Sequence, residues 1–356
     1  MLAIYSSGST FEERSFFRQL TLAGKQLNID VYVFTPGHID EQKRKIYAYY
    51  YEPRTKAWLR KWIDYPDLFF DRSRFYSSER FRPVSQFKKN NPQLTFISSP
   101  LTNKWNLYVE LSRKAAIRPF LPHTVLYRSF GDLHVELQRQ GSVYVKPING
   151  TGGRSIVRIQ RLPGGQYSIR GRTASRAIIP EQKVALARLQ AFMRSRNPTN
   201  RYIIQQGLDL RLPGGSVHDY RLLIQKNSEG KWEVTGCVGR VGASGSITSN
   251  LHGGGRAIPM MRLLRQWFKS EQKAKTVAED VYKFGHLLSE SLESTYGRLC
   301  ELALDLAVDR SGRIWLLEVN TKPAREVFAR IGNLHAYRKA IRQPLEYARW
   351  LYENKK

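Results

Sequence analysis

The sequence predicts a fold that begins as α/β and continues as α+β, and three patterns support this prediction. Residues 2–35 have the signals of a strand, a helix and a second strand, an order typical of a parallel-sheet unit. Residues 142–160 contain two strand-like runs around a glycine-rich loop. Residues 301–320 alternate in type on both sides of a turn. The length of 356 residues allows one to three domains with ample core.

The first hundred residues carry the signals of one α/β domain. Alternating and aromatic runs predict strands, and a stretch with helical spacing separates the first two, at 2–6, 11–28 (helix), 31–35, 45–52 and 68–72. Residues 94–100 predict the last strand, and Pro100 begins the exit from the domain. We therefore predict a Rossmann-like parallel-sheet domain over residues 1–100.

The rest of the chain alternates helical and strand signals. Helical spacing occurs at 103–117, 131–139, 181–195, about 270–292, 323–331 and 335–352. Strand signals occur at 142–147, 156–160 and 201–206, and in two hairpins at 218–242 and 301–320. This mixture predicts antiparallel pairing with flanking helices, which is the α+β part of the fold.

The charge balance is unusual and restricts the partners. The chain has 58 Lys+Arg against 30 Asp+Glu, a net charge of +28. Residues 101–180 hold 13 Lys+Arg and 3 Asp+Glu, which is +10 in that segment alone. Such a surplus favours anionic partners, namely nucleotides, nucleic acid, anionic polymers or acidic proteins. A generally basic, solubilising surface is the alternative interpretation.

The compartment follows from what the sequence lacks. No run of about eighteen apolar residues occurs, so we expect no membrane span. The first residues lack a basic segment followed by a long apolar run, so we expect no signal peptide. Cys237 and Cys300 lie in strand-like runs and suit reduced, buried thiols. We therefore predict a cytoplasmic protein.

Two carboxylates and an amide share one face of the hairpin at 301–320. Because side chains alternate along a strand, Asp305, Glu318 and Asn320 point the same way. A turn centred on residues 310–311 predicts that Asp305 lies opposite Leu316. The other face would then be a core row of Leu302, Leu304, Leu306, Trp315, Leu317 and Val319. Oxygen donors of this kind suit Mg²⁺, and the alternative is an ordinary exposed polar face.

The loop between the strands at 142–147 and 156–160 is rich in glycine. Gly150, Gly152 and Gly153 let backbone amides approach phosphates closely, and Lys146 just before the loop can place a charge on a phosphate. The loop joins two strands and therefore differs from a Walker loop, which feeds a helix. A flexible hairpin tip explains the glycines equally well.

The hairpin at 218–242 places two arginines on one face. Its predicted register puts Arg221 opposite Gly236, on the same face as Arg240. Two such charges repel each other unless an anion lies between them. A salt bridge to Asp219 is the alternative. Asn250, in the second glycine-rich loop at 249–257, is a candidate donor, although an ordinary surface loop explains that segment as well.

The order of these motifs resembles the ATP-grasp superfamily. The motifs run as VKPINGTGG at 145–153, QQGLDL at 205–210, DYR at 219–221, GR at 239–240, SNLHGGG at 249–255 and LLEVNTKP at 316–323. The combination is most similar to the YheC/YheD-like, endospore-coat-associated family, in the glutathione synthetase and ribosomal-protein glutamate ligase branch. The resemblance covers roughly residues 100–330. It implies two α+β lobes around a nucleotide, a central one at 101–200 and a C-terminal one at 201–356.

The resemblance also implies a role for each matched residue. It assigns phosphate contacts to Lys104 and Lys146, a mobile phosphate-covering loop to Gly150, Gly152 and Gly153, the adenine hinge to Gln205 and Gln206, and ribose binding to Asp209. It assigns the magnesium ligands to Asp305, Glu318 and Asn320. It places Arg221, Arg240 and Asn250 around the transferred phosphoryl group. The segment TKPAREVF after EVN replaces a Gly- or Ser-rich turn of many relatives, so acceptor recognition does not carry over.

The implied function is an ATP- and Mg²⁺-dependent carboxylate–amine (peptide-type) ligase that acts through an acylphosphate. The residues identify neither the acid nor the amine, and the basic surplus predicts an anionic acceptor. The family name implies a link to sporulation and the spore coat. The alternative is a structural, nucleic-acid-associated or spore-associated protein on a retained ATP-grasp fold. The two carboxylates and Asn320 favour the enzyme, because a purely structural hairpin does not need them.

Overall fold

The computed structural model describes residues 2–5, 13–73, 78–150 and 152–354. Within them the chain forms three sheets that follow one another along the sequence. The predicted mixed fold is confirmed, with a partly parallel first sheet and two antiparallel sheets. No helix among the described residues is long and apolar enough to cross a membrane.

The first sheet is built around β1, which pairs in parallel with β2 and β6. The strands are β1 (Leu2–Tyr5), β2 (Val31–Phe34), β3 (Ile39–Asp40), β4 (Lys45–Glu52), β5 (Ala57–Asp64), β6 (Leu68–Asp71) and β7 (Thr95–Phe96). Their order in the sheet is β3-β4-β2-β1-β6-β7, and β5 pairs with β4. The helices are α1 (Arg14–Gln26) and α2 (Ser78–Asn90). The strand-helix-strand opening is therefore confirmed. The sequence reasoning missed β5 and α2.

The second sheet is antiparallel, with the order β12-β11-β10-β9-β13-β8. It contains β8 (Thr124–Leu126), β9 (Ser142–Pro147), β10 (Val157–Arg161), β11 (Tyr167–Arg172), β12 (Ile178–Val184) and β13 (Tyr202–Gln206), with helices α3 (Lys104–Ser112), α4 (Phe130–Gln140) and α5 (Leu186–Arg194). The helix predicted at 181–195 was wrong in its first turn, because residues 178–184 form the exposed edge strand β12. The helix predicted at 103–117 ends at Ser112.

The third sheet carries the largest hydrophobic cluster of the described residues. Its order is β16-β15-β14-β17-β18, from β14 (His218–Lys226), β15 (Trp232–Val241), β16 (Arg256–Pro259), β17 (Glu301–Val308) and β18 (Ile314–Asn320). Its helices are α6 (Met260–Phe268), α7 (Glu271–Tyr296), α8 (Glu326–Arg330) and α9 (Leu334–Glu353). Leucines of β14 and β17 pack against α6 and α7 in one buried cluster. This burial fixes the opposite face of the sheet, which carries the polar residues.

The first and third sheets are joined by a shared core and a buried ion network. Residues of α9 pack against α1 in one hydrophobic cluster. Arg72 donates to Glu301 (Nη1 to Oε1, 2.8 Å), and Arg325 donates to the same carboxylate. All three side chains are buried. The domain boundaries at residues 100 and 200 stay a prediction, since the last helix contributes to the core of the first sheet.

The predicted register of the β17–β18 hairpin was wrong. The loop is one residue longer than predicted, because Asp309 N–H donates to the carbonyl of Arg313, and a bulge follows between Asp305 and Leu306. Asp305 therefore lies opposite Glu318, and Leu306 lies opposite Leu316. Leu316 joins the core cluster in the place predicted for Trp315 and Leu317.

The predicted register of the β14–β15 hairpin was also wrong. Next to the turn the pairing is already one residue out of the predicted register, with Lys226 opposite Trp232. A bulge between Leu223 and Ile224 adds a second residue, so Arg221 lies opposite Val238 and Arg240 lies opposite Asp219. The shift is two residues, and a shift of two keeps every side chain on its face. Arg221 and Arg240 are therefore on one face, as predicted.

Candidate active site

Two adjoining cavities lie where the second and third sheets face each other. The smaller one is enclosed by β9, the glycine-rich loop, residues 205–219 and β18. The larger one, of about 880 Å³, runs from the same loop towards the first sheet. Both are lined by Lys104, Lys146, Gly150, Gln205, Asn250, Asp305, Leu317 and Glu318. The structure therefore brings residues predicted from four separate motifs to the boundary between the two cavities.

The two predicted phosphate lysines lie together at this boundary. Lys104, the first residue of α3, donates to the Gly150 carbonyl, and its Nζ is 3.3 Å from Glu318 Oε1. Lys146 Nζ donates to Gln205 Oε1 at 2.8 Å and to the Leu317 carbonyl at 3.3 Å. Burial is the main cause that lowers the pKa of Lys146 to about 8, with a smaller lowering effect from Lys104. An anion beside these amines would offset that cost.

The predicted metal residues share one face at the end of the third sheet. Asp305 of β17 and Glu318 of β18 are directly opposite each other, and Asn320 lies opposite Ala303 on the same face. Asn320 Nδ2 is buried, and no hydrogen-bond partner for it occurs in the described part of the chain. The same part contains no group of three His, Cys, Asp or Glu residues that could hold a metal. A metal here would rely on two carboxylates and one amide.

Asp305 has much of its hydrogen-bonding capacity occupied. Arg221 donates from Nε to Oδ1 (2.8 Å) and from Nη2 to Oδ2 (2.9 Å), and Arg240 Nη2 is 3.1 Å from Oδ2. Burial alone would raise the pKa of Asp305, but the two guanidinium groups hold it below its usual range. A carboxylate has about four acceptor positions, so one remains at Oδ1. The set fits Mg²⁺ with Glu318 as the freest carboxylate ligand.

Arg240 and Asp219 form a buried bidentate pair. The Arg240 Nε and Nη2 atoms each lie 2.6 Å from an oxygen of Asp219, and only 2% of the Arg240 residue is exposed. The salt bridge to Asp219 that the sequence left open is therefore present, and Asp305, which contacts both guanidinium groups, is the anion between the two arginines. Arg221 is the more accessible of the two arginines, with 21% of its side chain exposed.

The two glycine-rich loops touch each other over the site. Gly152 and Gly153 have φ angles of +68° and +72°, the left-handed region that glycine tolerates best. A Cβ on Gly153 would lie 2.5 Å from Asn250 Nδ2, so any other residue at this position would require the Asn250 side chain to move. Gly150 has a Cβ position with no atom nearer than 3.6 Å. The structure thus places the glycine-rich loop beside Asn250, and Gly152 and Gly153 are the two positions where a side chain would be strained.

The predicted adenine and ribose residues are placed less uniformly. Gln205 and Gln206 line the smaller cavity. Its apolar walls are formed by Tyr144, Ile156, Leu208, Leu210, Val217 and Leu317. Gln205 is engaged with Lys146 and with Thr124 Oγ1. Asp209 does not line either cavity; it is exposed and accepts from Arg211 Nε at 3.0 Å. Its assignment as the ribose acid stays a prediction without a contact to support it.

Sequence reasoning missed the far wall of the larger cavity. Lys322, two residues after Asn320, donates to Asp71 Oδ1 at 3.0 Å and to the Ser73 carbonyl at 2.6 Å. Burial lowers the pKa of Lys322, and the Asp71 carboxylate opposes that shift. In the sequence, the TKP segment at 321–323 stands out only as a departure from the Gly- or Ser-rich turn of many relatives. The pairing of residues 251 positions apart in the chain gives no local signal.

The chain matches known sequences along most of its length. The family model of YheC/D-like ATP-grasp proteins matches residues 93–351. The chain is 27% identical to the endospore coat-associated protein YheD of Bacillus subtilis (strain 168), over 99% of this chain and 79% of YheD. It is 26% identical to the endospore coat-associated protein YheC of the same organism, over 92% of this chain and 90% of YheC.

Solved structures share the fold at low sequence identity. D-cycloserine synthetase DcsG superposes with a TM-score of 0.57 and 14% identity, over 98% of this chain and 99% of that one. D-alanyl-alanine synthetase A of Vibrio cholerae O1 biovar eltor superposes with a TM-score of 0.55 and 10% identity, over 99% and 97%. The ADP complex of N5-carboxyaminoimidazole ribonucleotide synthetase reaches 0.50 at 11% identity, over 91% and 70%. The predicted ATP-grasp fold is confirmed.

Proposed function

The chain belongs to the YheC/D-like ATP-grasp family, and from that premise we propose that it is an ATP- and Mg²⁺-dependent carboxylate–amine ligase. One observation carries the proposal. Lys104, Lys146, Gly150 of the glycine-rich loop, Asp305 and Glu318 line both cavities, and Asn320 lines the larger cavity beside them. A phosphate chain needs cations, backbone amides and a metal site in one place, and this boundary supplies all three.

The smaller cavity is proposed as the nucleotide site. Its apolar walls suit a base, and Gln206 adds polar groups near them. The phosphates would lie beside Lys104 and Lys146 under the glycine-rich loop. In this position they would replace the Gly150 and Gln205 oxygens that now accept from the two lysines.

The proposed reaction has two balanced steps. A carboxylate oxygen of the acid substrate attacks the γ-phosphorus of ATP, and ADP leaves with the electrons of the broken P–O bond. The amine then attacks the carbonyl carbon of the acylphosphate, loses a proton and expels inorganic phosphate. Neither step needs a nucleophilic side chain of the protein. Positioning and charge neutralisation are therefore what the protein supplies.

Glu318, Asn320 and the remaining acceptor position of Asp305 are the proposed magnesium ligands. A bound Mg²⁺ ion would neutralise charge on the phosphate oxygens. Arg221, the more exposed arginine, is proposed to contact the transferred phosphoryl group from the larger cavity. Arg240 is proposed as the residue that holds Asp305 and Asp219 in place, since its guanidinium is buried between them.

The substrate pair can be sought directly. Purified protein, ATP and Mg²⁺ are added to a small-molecule extract of cells, and ADP, phosphate and new masses are measured. The proposal predicts release of ADP and phosphate together with a product lighter by one water than the sum of two extract components. A stable phosphorylated acceptor without condensation would instead indicate phosphotransfer. Absence of ATP turnover in extracts from vegetative and sporulating cells would contradict the ligase proposal.

The net charge favours a second candidate, a spore-associated scaffold protein that binds an anionic partner on a retained ATP-grasp fold. The relatives YheD and YheC are named endospore coat-associated proteins, which supports a sporulation setting for this chain in either case. Partner capture by nucleotide-free protein, with unchanged affinity in the Glu318→Gln variant, would favour the scaffold. Loss of partner modification in that variant would favour the enzyme.

A further inference from the structure

Two arginines lie beside the glycine-rich loop and belong to none of the motifs above. Arg172 is the last residue of β11, and Arg176 closes the turn that follows it. Arg172 Nη1 donates to the Arg176 carbonyl at 3.1 Å, and Nη2 donates to Ser246 Oγ and to the Gly253 carbonyl, both at 2.8 Å. Arg172 thus ties the turn to the second glycine-rich loop.

Arg172 differs from the other deeply buried arginines of the described chain. Arg72, Arg240 and Arg325 are 1–2% exposed, and each contacts a carboxylate. Arg172 is 3% exposed, yet all its hydrogen bonds go to neutral oxygens, and its Nε atom is buried without a partner among the described residues. A buried charge of this kind is costly unless an anion compensates it.

Arg176 extends the same uncompensated charge into the larger cavity. Its φ angle is +72°, a conformation that costs a non-glycine residue free energy and is often retained at binding sites. Its Nε atom is buried without a partner among the described residues. Its Nη2 atom lies 2.8 Å from the Cβ position of Gly152. Arg176 lines the larger cavity and is absent from the lining of the smaller one.

We propose that Arg176, positioned by Arg172, binds an oxyanion of the second substrate, a carboxylate or a phosphate group, on the side of the glycine-rich loop away from the nucleotide. The assignment of this anion to a substrate rests on the proposed ligase function. The site itself rests on the two guanidinium groups. Burial and the neighbouring Arg176 lower the pKa of Arg172, and the charge of a bound anion would oppose this lowering.

The test uses the full chain and two simple probes, inorganic phosphate and, separately, succinate. Each is titrated by calorimetry in the presence of saturating ADP and Mg²⁺, so that the nucleotide site is filled. We expect wild-type protein to bind at least one probe, which identifies the anion class. Arg176→Gln should weaken that binding about tenfold or more, because a charge-assisted hydrogen bond is lost. Arg176→Lys should lie between, since it keeps the charge without the planar fork.

Two controls separate this site from the nucleotide site and from general charge. Arg188→Gln removes an exposed arginine of α5 and should leave probe affinity unchanged. ADP affinity of Arg176→Gln should match that of the wild type. If Arg176→Gln weakens the binding of ADP and of the probe equally, the proposal is overturned, because Arg176 would then contact the nucleotide. The proposal is also overturned if Arg176→Gln binds the probe as tightly as the wild type. If the protein binds no nucleotide, the ligase proposal fails, and the same probe titrations without ADP still decide the anion site.

Discussion

Lys146 predicts how the affinity for ADP depends on pH. Its pKa in the nucleotide-free protein is about 8, chiefly because of burial. Only the protonated amine attracts a phosphate, and phosphate binding raises the pKa. By proton linkage, affinity is therefore constant well below about pH 8 and falls as the pH rises through that value. The protonated fraction drops from about 0.76 at pH 7.5 to about 0.09 at pH 9, so ADP affinity should fall about eightfold, or about 1.3 kcal/mol.

The assay is calorimetric titration with ADP at saturating Mg²⁺ across this pH range. Lys146→Gln should bind more weakly, with a flat profile, because the amine whose pKa is lowered to about 8 has been removed. Lys104→Gln should keep the step and move its midpoint to higher pH, since Lys104 contributes to lowering the pKa of Lys146. A flat wild-type profile, or a step that survives in Lys146→Gln, would refute the placement of Lys146 at the phosphates.

Three further substitutions test other parts of the site. Glu318→Gln should lower Mg²⁺-dependent ATP turnover at least about tenfold while the melting temperature changes little, because its ion pair is partly exposed; parental turnover would exclude Glu318 as a ligand. Arg240→Met should cost about 3–5 kcal/mol of stability in urea unfolding, since it leaves the buried Asp219 carboxylate without its cation; a loss below about 1 kcal/mol would contradict a role for this buried pair in stability. Gly153→Ala should weaken ADP binding because of its φ of +72° and the adjacent Asn250, whereas Gly164→Ala, with φ +69° in open space, should leave ADP affinity unchanged.

The common face of Asp305, Glu318 and Asn320 could be predicted although the hairpin register could not. The loop after β17 is one residue longer than the DRSG turn suggests, and the bulge opposite Asp305 and Leu306 adds another residue, Leu317 of β18. Two one-residue shifts restore the alternation, so Asp305, Glu318 and Asn320 keep a common face. Between the loop and the bulge only one shift applies, and the predicted core positions there were wrong. Bulges depend on tertiary packing, which local periodicity does not contain.

The ion-pair partner that Arg221 and Arg240 share could not be predicted from the sequence. Alternation predicts that Arg221 and Arg240 share a face, but Asp305 is 84 residues away from Arg221 along the chain. Their contact depends on the pairing of β14 with β17, a choice of neighbours that hydrophobic patterns do not specify. The same reason explains why the pair of Lys322 and Asp71 was missed.

The sequence patterns also failed to predict two exposed edge strands, β12 and β5. The strand β12 has the sequence IIPEQKV, in which most side chains are exposed, and its polar residues resemble the start of the helix that follows. Four of the eight residues of the strand β5 are exposed, and within the described residues it pairs only with β4. Edge strands have one unpaired side and few core contacts, so their sequences carry a weak alternating signal.

The nucleotide site is tested most directly by a calorimetric titration of wild-type protein with ATP at millimolar Mg²⁺, repeated with Lys146→Gln and Glu318→Gln. We expect saturable binding of one ATP per chain, weakened in Lys146→Gln through loss of the phosphate contact. We also expect the Mg²⁺ dependence of binding to disappear in Glu318→Gln. Absence of saturable ATP binding to folded wild-type protein would contradict the assignment of the cavity between the second and third sheets as a nucleotide site.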